Sequence, residues 1–379
     1  MNATALSLQN VDSDVANLIK AEERYQQETI RLIASENYVS RAVLEASGSV
    51  FTNKYSEGYA GKRYYQGQQY CDAIETLAVT RAKQLFGTEH VNVQPYSGSP
   101  ANLEVYYALA EPGDVIMGMS LPHGGHLTHG WKVNFSARFY RSVQYPVAES
   151  TGLIDYQAVA ALAREHKPKI IMCGASAYPR TLDFNAFAEI AREVGAYLVA
   201  DIAHIAGLIA AGVHPSPIPL ADAVTTTTHK SLRGPRGAMI MCSARHAKAI
   251  DSAVFPALQG GPHNHTTAAM AVAFKEALAP EFKVYGRRVV ENARALAEEL
   301  LGLGFDLVTG GTDNHIVLMD LRMPVMDGVE AMRRLATVVP SARVIVLTTY
   351  DNDEFITRGI EAGARAYMLK DCPREDLFK

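Results

Sequence analysis

Cysteine is scarce in this chain, and the cysteines that are present lie far apart. The 379 residues include four, at positions 71, 173, 242 and 372, and no two of them form a Cys-x-x-Cys pair. This spacing excludes the disulfide framework of small secreted proteins and offers no structural zinc motif. It is typical of a reducing compartment, which we predict to be the cytoplasm.

A strong net charge and long apolar runs are missing as well. The formal net charge is -4 and the basic residues are dispersed, so we predict no nucleic-acid partner. No apolar run reaches membrane-spanning length, and the first residues lack the basic start and apolar core of a signal peptide. We expect a protein that is neither exported nor membrane-embedded, with two or more domains.

Apolar strand-like segments and helical segments alternate through most of the chain. This alternation predicts an α/β fold with a mostly parallel sheet covered on both faces, and ligands then bind at the carboxyl ends of the strands. The segments with strand character are 90–94, 115–119, 139–145, 169–174, 196–201, 223–228 and 238–242. Those with helical character are 11–32, 72–86, 101–110, 156–166 and 185–194.

Lys230 is the candidate nucleophile. A β-branched run ending in Thr228 predicts a stiff strand that delivers this lysine into a loop closed by Gly234 and Gly237. Partial burial and neighbouring cations would lower the pKa of its amine, which suits Schiff-base chemistry with an aldehyde cofactor. The alternative is a solvated lysine after an edge strand.

Two further features lie at predicted strand ends. Asp201 ends a buried strand, with His204 shortly after it, and a carboxylate there needs a cation such as a protonated pyridine nitrogen. The corner Ser97-Gly98-Ser99 precedes a helix, where backbone N–H groups and the helix dipole would bind phosphate. The alternative for this corner is a plain serine N-cap.

Three histidines, His123, His126 and His129, share one glycine-containing loop. They could form a metal site, but no nearby acid completes a facial ligand set. We favour stacking of one imidazole on an aromatic cofactor ring, and we predict no metal.

Taken together, these residues resemble serine hydroxymethyltransferase, a pyridoxal-phosphate enzyme of the aspartate-aminotransferase fold type. The resemblance runs from about residue 22 to 321 and rests on these motifs in order: LIASEN, TNKYSEGYAGKRYY, QPYSGSPAN, LPHGGHLTHG, SAYPR, ADIAHIAGL, TTTTHKSLRGPRG, ALQGGPHNH and GGTDNH. It implies a pyridoxal-phosphate cofactor, tetrahydrofolate as co-substrate, and serine and glycine as substrates. It also implies a homodimer whose active site is shared between subunits.

The resemblance assigns a role to each candidate site residue. Lys230 would hold the cofactor aldehyde, Asp201 the ring nitrogen, and Glu57 the substrate hydroxyl proton, with His229 and Tyr65 as the further catalytic residues. The other cofactor contacts would be Ser97, Gly98, Ser99, His126, Ser176, His204, Arg236, Tyr55 and, from the second subunit, Gly261. Ser35 and Tyr65 would contact the amino-acid substrate, and Leu121, Gly125 and Leu127 would line the folate site.

The end of the chain departs from that pattern. The family's Arg-x-Gly-Thr-Pro segment, whose arginine pairs with the substrate carboxylate, has no counterpart up to Lys379, and neither Arg322 nor Arg358 stands in a similar context. Without that bidentate pair we expect impaired turnover.

Residues 316–379 instead resemble the second half of a response-regulator receiver domain. Asp320 would be a weak phospho-acceptor candidate, with Thr348 and Lys370 as its partners, although the acidic pair that such domains use for Mg²⁺ is missing. The alternative for Asp320 is a loop or capping carboxylate. The two resemblances meet over residues 317–322, so we interpret the chain as a chimera.

The predicted organisation has four parts. Residues 1–30 form a helical arm, 31–285 the cofactor-binding large domain, 286–315 a connecting helix and the start of a small domain, and 316–379 a truncated β-α-β-α-β receiver-like segment. Two alternatives to a working enzyme remain: a non-catalytic protein with this fold, and a phosphorelay protein regulated through the receiver segment.

Overall fold

The computed structural model describes residues 7–319, 345–348 and 366–369. The chain divides into two compact units. One contains residues 34–302 and 307–318, and the other contains residues 1–33, 303–306 and 319–379.

The first unit contains a small hairpin and a seven-stranded sheet. The hairpin is formed by β1 Gly58–Tyr59 and β2 Lys62–Arg63, and the strands of the sheet are β3 His90–Asn92, β4 Val115–Met119, β5 Arg141–Tyr145, β6 Ile170–Gly174, β7 Tyr197–Asp201, β8 Ala223–Thr227 and β9 Ala238–Cys242. Their order in the sheet is β3-β9-β8-β7-β6-β4-β5. Pairing is parallel from β8 through β7, β6 and β4 to β5, and β9 is antiparallel to both of its neighbours. The predicted α/β fold with a mostly parallel sheet is confirmed.

The helices of this unit connect the strands and cover the sheet. They are α3 Arg41–Ser47, α4 Gln69–Phe86, α5 Gly98–Leu109, α6 Phe135–Phe139, α7 Tyr156–His166, α8 Phe184–Val194, α9 Ala206–Ala210, α10 Ala247–Ser252, α11 Asn264–Ala277 and α12 Pro280–Gly302. Most predicted bounds hold within a few residues. The segment predicted as 139–145 becomes a strand only at Arg141, because residues 135–139 form α6, which Asn134 caps.

Both faces of the sheet are buried. Along β6, Ile171 and Cys173 belong to one apolar cluster, while Ile170 and Met172 belong to another. Successive side chains of a strand point to opposite faces, so these clusters lie on the two sides of the sheet. Such double burial explains why the central strands are continuous apolar runs.

The described part of the second unit contains helices and a strand pair. The predicted helix over 11–32 is instead α1 Leu8–Val11 and α2 Ser13–Glu28, because Asp12 adopts an extended backbone and its side chain accepts hydrogen bonds from the amides of Asp14 and Val15. Strands β10 Ile345–Thr348 and β11 Ala366–Leu369 pair in parallel. Asp320 and Lys370 lie outside the described residues, and Thr348 is the last residue of β10.

Two predictions from composition bear on the described residues. Cys71, Cys173 and Cys242 are free and buried, while Cys372 lies outside the described part. Among the helices described, none is both long and apolar enough to cross a bilayer.

Candidate active site

The loop that carries Lys230 is fixed by its own backbone. Thr228 closes it at the end of β8: its N–H donates to Gly237 O (3.0 Å), its carbonyl accepts from the Gly234 N–H (2.6 Å), and its hydroxyl donates to Pro235 O (2.6 Å). The carbonyl of Lys230 accepts from the side-chain amide of Asn37 at 3.0 Å. The lysine backbone is therefore held in place before any cofactor binds.

The amine of Lys230 is half-buried and its pKa is lowered. Among the described residues it makes no hydrogen bond or ion pair. Burial lowers its pKa, the Asp201 carboxylate raises it, and Arg236 lowers it, with a net decrease from the usual value. The predicted effect of burial and neighbouring cations is present, and more of the amine is neutral than for a solvated lysine.

Asp201 is the last residue of β7, at the carboxyl edge of the sheet next to the end of β8. One carboxylate oxygen accepts from Asn102 Nδ2 (2.9 Å) and His129 Nε2 (3.1 Å), and the other accepts from the Ala203 N–H (3.0 Å). Burial alone would raise its pKa, but the hydrogen bond and charge of His129, the charge of His126 and the hydrogen bond from Asn102 together outweigh burial, and the pKa falls far below its usual value. Asp201 is therefore a carboxylate at every working pH.

Asn102, which was not among the predicted site residues, is the centre of the network around Asp201. It is fully buried, and its Nδ2 donates to both Asp201 and the Thr128 hydroxyl (2.8 Å). Its Oδ1 accepts from the Thr225 hydroxyl (2.6 Å). The sequence carries a trace of this role, because Asn102 is the last residue of the QPYSGSPAN motif and all three partners lie inside other motifs already singled out.

The histidine loop adopts defined tautomers. The His126 N–H donates to His129 Nδ1 (3.3 Å), so the proton of the His129 ring is on Nε2, which donates to Asp201. The Thr128 N–H donates to His126 Nδ1 (3.2 Å). Burial and the neighbouring His129 lower the pKa of His126 to about 4, so its ring is neutral at pH 7.

A metal at this loop would need lone pairs that are already used. Among the described residues, His126, His129 and Asp201 bring ligand atoms within 4.8 Å of one another. However, His129 Nε2 carries a proton and His126 Nδ1 accepts a hydrogen bond. His123 Nδ1 accepts from the Val147 N–H at 3.1 Å and lies outside this group. The contacts of this group are therefore those of a hydrogen-bonded Asp201 carboxylate, with the histidine nitrogens already engaged in hydrogen bonds.

The Ser97-Gly98-Ser99 corner leads directly into α5. Ser97 occupies the N-cap position, but its side chain makes no capping hydrogen bond, so the plain N-cap alternative is not what the geometry shows. A Cβ on Gly98 would come within 2.8 Å of Thr227 Cγ2 at the end of β8. Glycine therefore lets the helix start approach β8, which leads to Lys230.

Two further predicted residues, Ser176 and His204, have defined contacts, and His204 interacts electrostatically with Lys230. Ser176 ties its backbone to the histidine loop through Gly124 O (2.8 Å). His204 is buried, its Nδ1 has no hydrogen-bond partner, and its ring stacks on His315 with centroids 5.7 Å apart. Burial and Lys230 lower the pKa of His204. The role of His315 was not foreseen, because its contact with His204 joins distant parts of the sequence.

His229 and Arg236 flank the lysine in the chain. Burial and the Arg236 guanidinium lower the pKa of His229 to about 4, and its Nδ1 has no hydrogen-bond partner. Arg236 is exposed. Arg236 is thus an exposed cation that interacts electrostatically with both His229 and Lys230.

A second cluster contains the remaining predicted catalytic residues. Glu57 accepts from the Tyr65 hydroxyl (3.1 Å) and contacts the Tyr55 hydroxyl (3.5 Å). Tyr55 also lies against Gly261. Among the described residues, no hydrogen bond or ion pair connects this cluster to Lys230 or Asp201.

The predicted substrate and folate residues occupy loops. Ser35 is half-buried in a turn. Leu121 lies just before the histidine loop, and Leu127, which lies within that loop, is exposed. A Cβ on Gly125 would collide with Met119 O, so that position requires glycine for close backbone approach.

Comparison with known proteins gives a consistent result. The family model for serine hydroxymethyltransferase matches residues 8–379, which includes the predicted receiver-like segment. The serine hydroxymethyltransferase of Acidothermus cellulolyticus is 63% identical over 329 residues, covering 87% of this chain and 77% of the relative. That of Sorangium cellulosum is 64% identical over 315 residues (83% and 74%), and that of Desulfotalea psychrophila is 62% identical over 329 residues (87% and 77%).

Proposed function

Because the chain belongs to the serine hydroxymethyltransferase family, we propose that it converts serine and tetrahydrofolate to glycine and methylenetetrahydrofolate. Enzymes of this family are pyridoxal-phosphate-dependent hydroxymethyltransferases with tetrahydrofolate as co-substrate. The observation that carries the proposal is an unpaired Lys230 amine that interacts electrostatically with the ionised Asp201 carboxylate at the end of the neighbouring strand.

The residues present fit pyridoxal phosphate. Lys230 has a free amine, the Ser97 hydroxyl is not used in capping, and His204 and His229 each have an unpaired nitrogen. When bound, the cofactor supplies an electron sink for breaking a bond at the substrate Cα. Lys230 would hold its aldehyde, and Ser97, Gly98 and Ser99 its phosphate.

Asp201 and the histidine loop would orient the ring. Asp201 stays ionised and would keep a proton on the pyridine nitrogen, while Asn102 and His129 fix the direction of the carboxylate. His126, neutral at pH 7, would stack on the ring without adding a charge. We assign Ser176 and His204 to the phenolic oxygen, Arg236 to the phosphate side, and His229 to the surroundings of the amine.

We propose that a second copy of the chain completes the site. Glu57, Tyr55 and Tyr65 form a cluster with Gly261 that makes no hydrogen bond or ion pair with the Lys230 site in the described part of the chain, which supports sharing across a homodimer. Glu57 would move the proton of the substrate hydroxyl. Ser35 and Tyr65 would contact the substrate, and Leu121, Gly125 and Leu127 the folate.

Absorbance of the cofactor adduct tests this function. Purified protein mixed with pyridoxal phosphate should give a yellow adduct, and Lys230→Ala should abolish it. Lys248→Ala, which removes an exposed lysine that has no role in the proposed site, should leave the adduct unchanged. Absence of the adduct in the unaltered protein, or its persistence without Lys230, would contradict the assignment.

Turnover is the finer part of the proposal. No match to the family's arginine segment occurs in residues 316–379, so we propose reduced turnover because substrate carboxylate binding is weakened. Serine cleavage with tetrahydrofolate should then be slow while the adduct forms normally. Turnover typical of an unimpaired enzyme would show that the carboxylate is bound by other groups.

We also propose, as a second candidate, that residues 316–379 form a receiver-like segment. The parallel pairing of β10 and β11 supports it, since adjacent parallel strands are what the end of a receiver sheet provides. Acetyl phosphate with Mg²⁺ should label Asp320, and Asp320→Asn should lose the label. If no label appears in the unaltered protein, this candidate is wrong.

The remaining assignments stay with the proposal. We keep the cytoplasm as the compartment, and the division into a helical arm (1–30), a large domain (31–285) and a connecting part (286–315). Limited proteolysis followed by mass spectrometry would locate the domain boundaries.

A further inference from the structure

Glu57 is half-buried between the buried residues Ser56 and Gly58, but its side-chain hydrogen bonds come from exposed tyrosines. Tyr55 is 63% exposed and Tyr65 is 45% exposed, and these are the two hydroxyls that contact the Glu57 carboxylate. Hydrogen bonds between exposed side chains hold a group only weakly. Whatever positions Glu57 must act through its backbone.

The backbone on both sides of Glu57 is held by a single guanidinium group. One terminal nitrogen of Arg63 donates to Ser56 O (2.9 Å) and to Gly58 O (2.7 Å), the carbonyls immediately before and after Glu57. The carbonyl of Glu57 itself accepts from the Tyr64 N–H (3.3 Å). Three consecutive carbonyls are therefore fixed by two neighbouring residues.

Arg63 is in turn anchored on α4. Its Nε donates to Asp72 Oδ1 (2.8 Å), and its other terminal nitrogen lies 2.9 Å from Glu75 Oε2. Asp72 and Glu75 are three residues apart on the helix, so both carboxylates lie on the same face. The side chain of Arg63 is only 2% exposed and that of Glu75 8%, while Asp72 is partly exposed. The guanidinium is therefore buried, unlike that of a surface ion pair.

The same two carboxylates also hold the tip of the β1–β2 hairpin. The second oxygen of Glu75 accepts from the Ala60 N–H (3.0 Å), and the second oxygen of Asp72 accepts from the Gly61 N–H (3.0 Å). Each carboxylate thus joins Arg63 to the hairpin backbone. The network reaches from a rigid helix to the peptide that carries Glu57.

We propose that Arg63 is a positioning residue for Glu57, and that Asp72 and Glu75 hold it in that role. The proposal rests on the proposed function, in which Glu57 moves the substrate hydroxyl proton. A planar guanidinium can bind two carbonyls and two carboxylates at once, and a lysine ammonium cannot reproduce that arrangement.

Arg63→Lys is the test, because it keeps a positive charge beside Asp72 and Glu75. In the protein with pyridoxal phosphate we expect the cofactor adduct to be retained, kcat for serine cleavage to fall about tenfold or more, and KM to change little. The pH profile of kcat should lose the limb that Glu57→Gln also abolishes. Lys62→Ala, an exposed neighbour, should match the unaltered protein in all of these measurements.

Two further measurements separate positioning from a general loss of structure. Without cofactor, hydrogen exchange of the amides from 56 to 65 should speed up in Arg63→Lys, while α4 keeps its protection. Guanidinium ion should partly restore the kcat of Arg63→Ala. The double variant Arg63→Lys with Glu57→Gln should have the same kcat as Glu57→Gln alone, since both changes remove the contribution of Glu57 to proton transfer.

The outcomes distinguish the two levels of the proposal. If Glu57→Gln slows the reaction but Arg63→Lys does not, or if the two losses multiply, Arg63 has no positioning role and the proposed function stands. If Glu57→Gln leaves kcat unchanged, the assigned role of Glu57 fails and the role of Arg63 fails with it.

Discussion

The charge of a carboxylate inside this protein depends on whether hydrogen-bond donors lie within reach of its oxygens. Asp201 has hydrogen-bond donors on both oxygens and remains ionised. Glu104, on α5, is fully buried, yet neither carboxylate oxygen has a hydrogen-bond partner, and burial raises its pKa to about 8. The same functional group is therefore charged at one position and neutral at the other at pH 7.

Glu104 makes stability depend on pH. Its folded pKa of about 8 lies above the ordinary value of 4.5, so between these values the folded state keeps a proton that the unfolded state has released. The free energy of unfolding must then fall as the pH rises through this window, and the loss is complete above it. The size of this contribution is roughly 2 to 5 kcal/mol.

Replacing Glu104 by glutamine should remove this dependence. We expect Glu104→Gln to unfold like the unaltered protein near the acid end of the window and to be more stable at its alkaline end. Urea unfolding of the cofactor-free protein at several pH values, at one protein concentration, measures the difference. The exposed Glu149→Gln is the matched control, and equal pH dependence in both variants would refute the role of Glu104.

Short elements position the reactive lysine through close backbone contacts. Helix α9 (206–210) packs against the Lys230 loop at Gly207, whose N–H donates to the Ser231 hydroxyl at 3.0 Å. That hydroxyl donates to His204 O at 2.6 Å. A Cβ at position 207 would collide with the backbone of Ser231, directly after Lys230.

Gly207→Ala should therefore displace the lysine loop. We expect a loss of about 1 to 3 kcal/mol in the free energy of unfolding from overpacking, and weaker pyridoxal phosphate binding, both measurable by urea unfolding and absorbance titration. Gly302→Ala places the same methyl group at a helix end with no atom within 4 Å and serves as the control. Unchanged cofactor affinity in Gly207→Ala would mean that α9 does not set the loop position.

At the scale of the whole molecule, the question is which copy of the chain contributes each residue of the active site. In the proposed dimer, each site takes Lys230 from one copy and Glu57 from the other. A hybrid of Lys230→Ala and Glu57→Gln copies would then contain one site with both changes and one site with neither.

Mixing the two variants should thus restore activity. If subunits exchange at random, roughly a quarter of the sites are intact, and serine cleavage should recover toward that share of the unaltered rate. Two copies of the same variant, mixed as a control, should stay at the variant's own rate. Lack of recovery after proven subunit exchange would place Lys230 and Glu57 of one site in the same chain.

Much of this protein is determined locally by its sequence. Alternating apolar segments predicted the mostly parallel sheet, and β4, α7 and β9 have the predicted bounds, because double burial forces continuous apolar strands between amphipathic helices. The sequence also suggested Lys230 and Asp201 as candidates, since a polar residue at the end of a buried strand stands out against its surroundings.

Only the tertiary structure decided which side chains act on one another. Asn102 donates a hydrogen bond to Asp201, 99 positions away in the sequence. Arg63 donates to the carbonyls on both sides of Glu57. The buried carboxylate of Glu104 has no hydrogen-bond partner. Periodicity along the chain fixes which face of an element is buried. The hydrogen-bond partners and the pKa of a side chain on that face depend on which distant groups lie next to it. The packing of the elements against one another determines those neighbours.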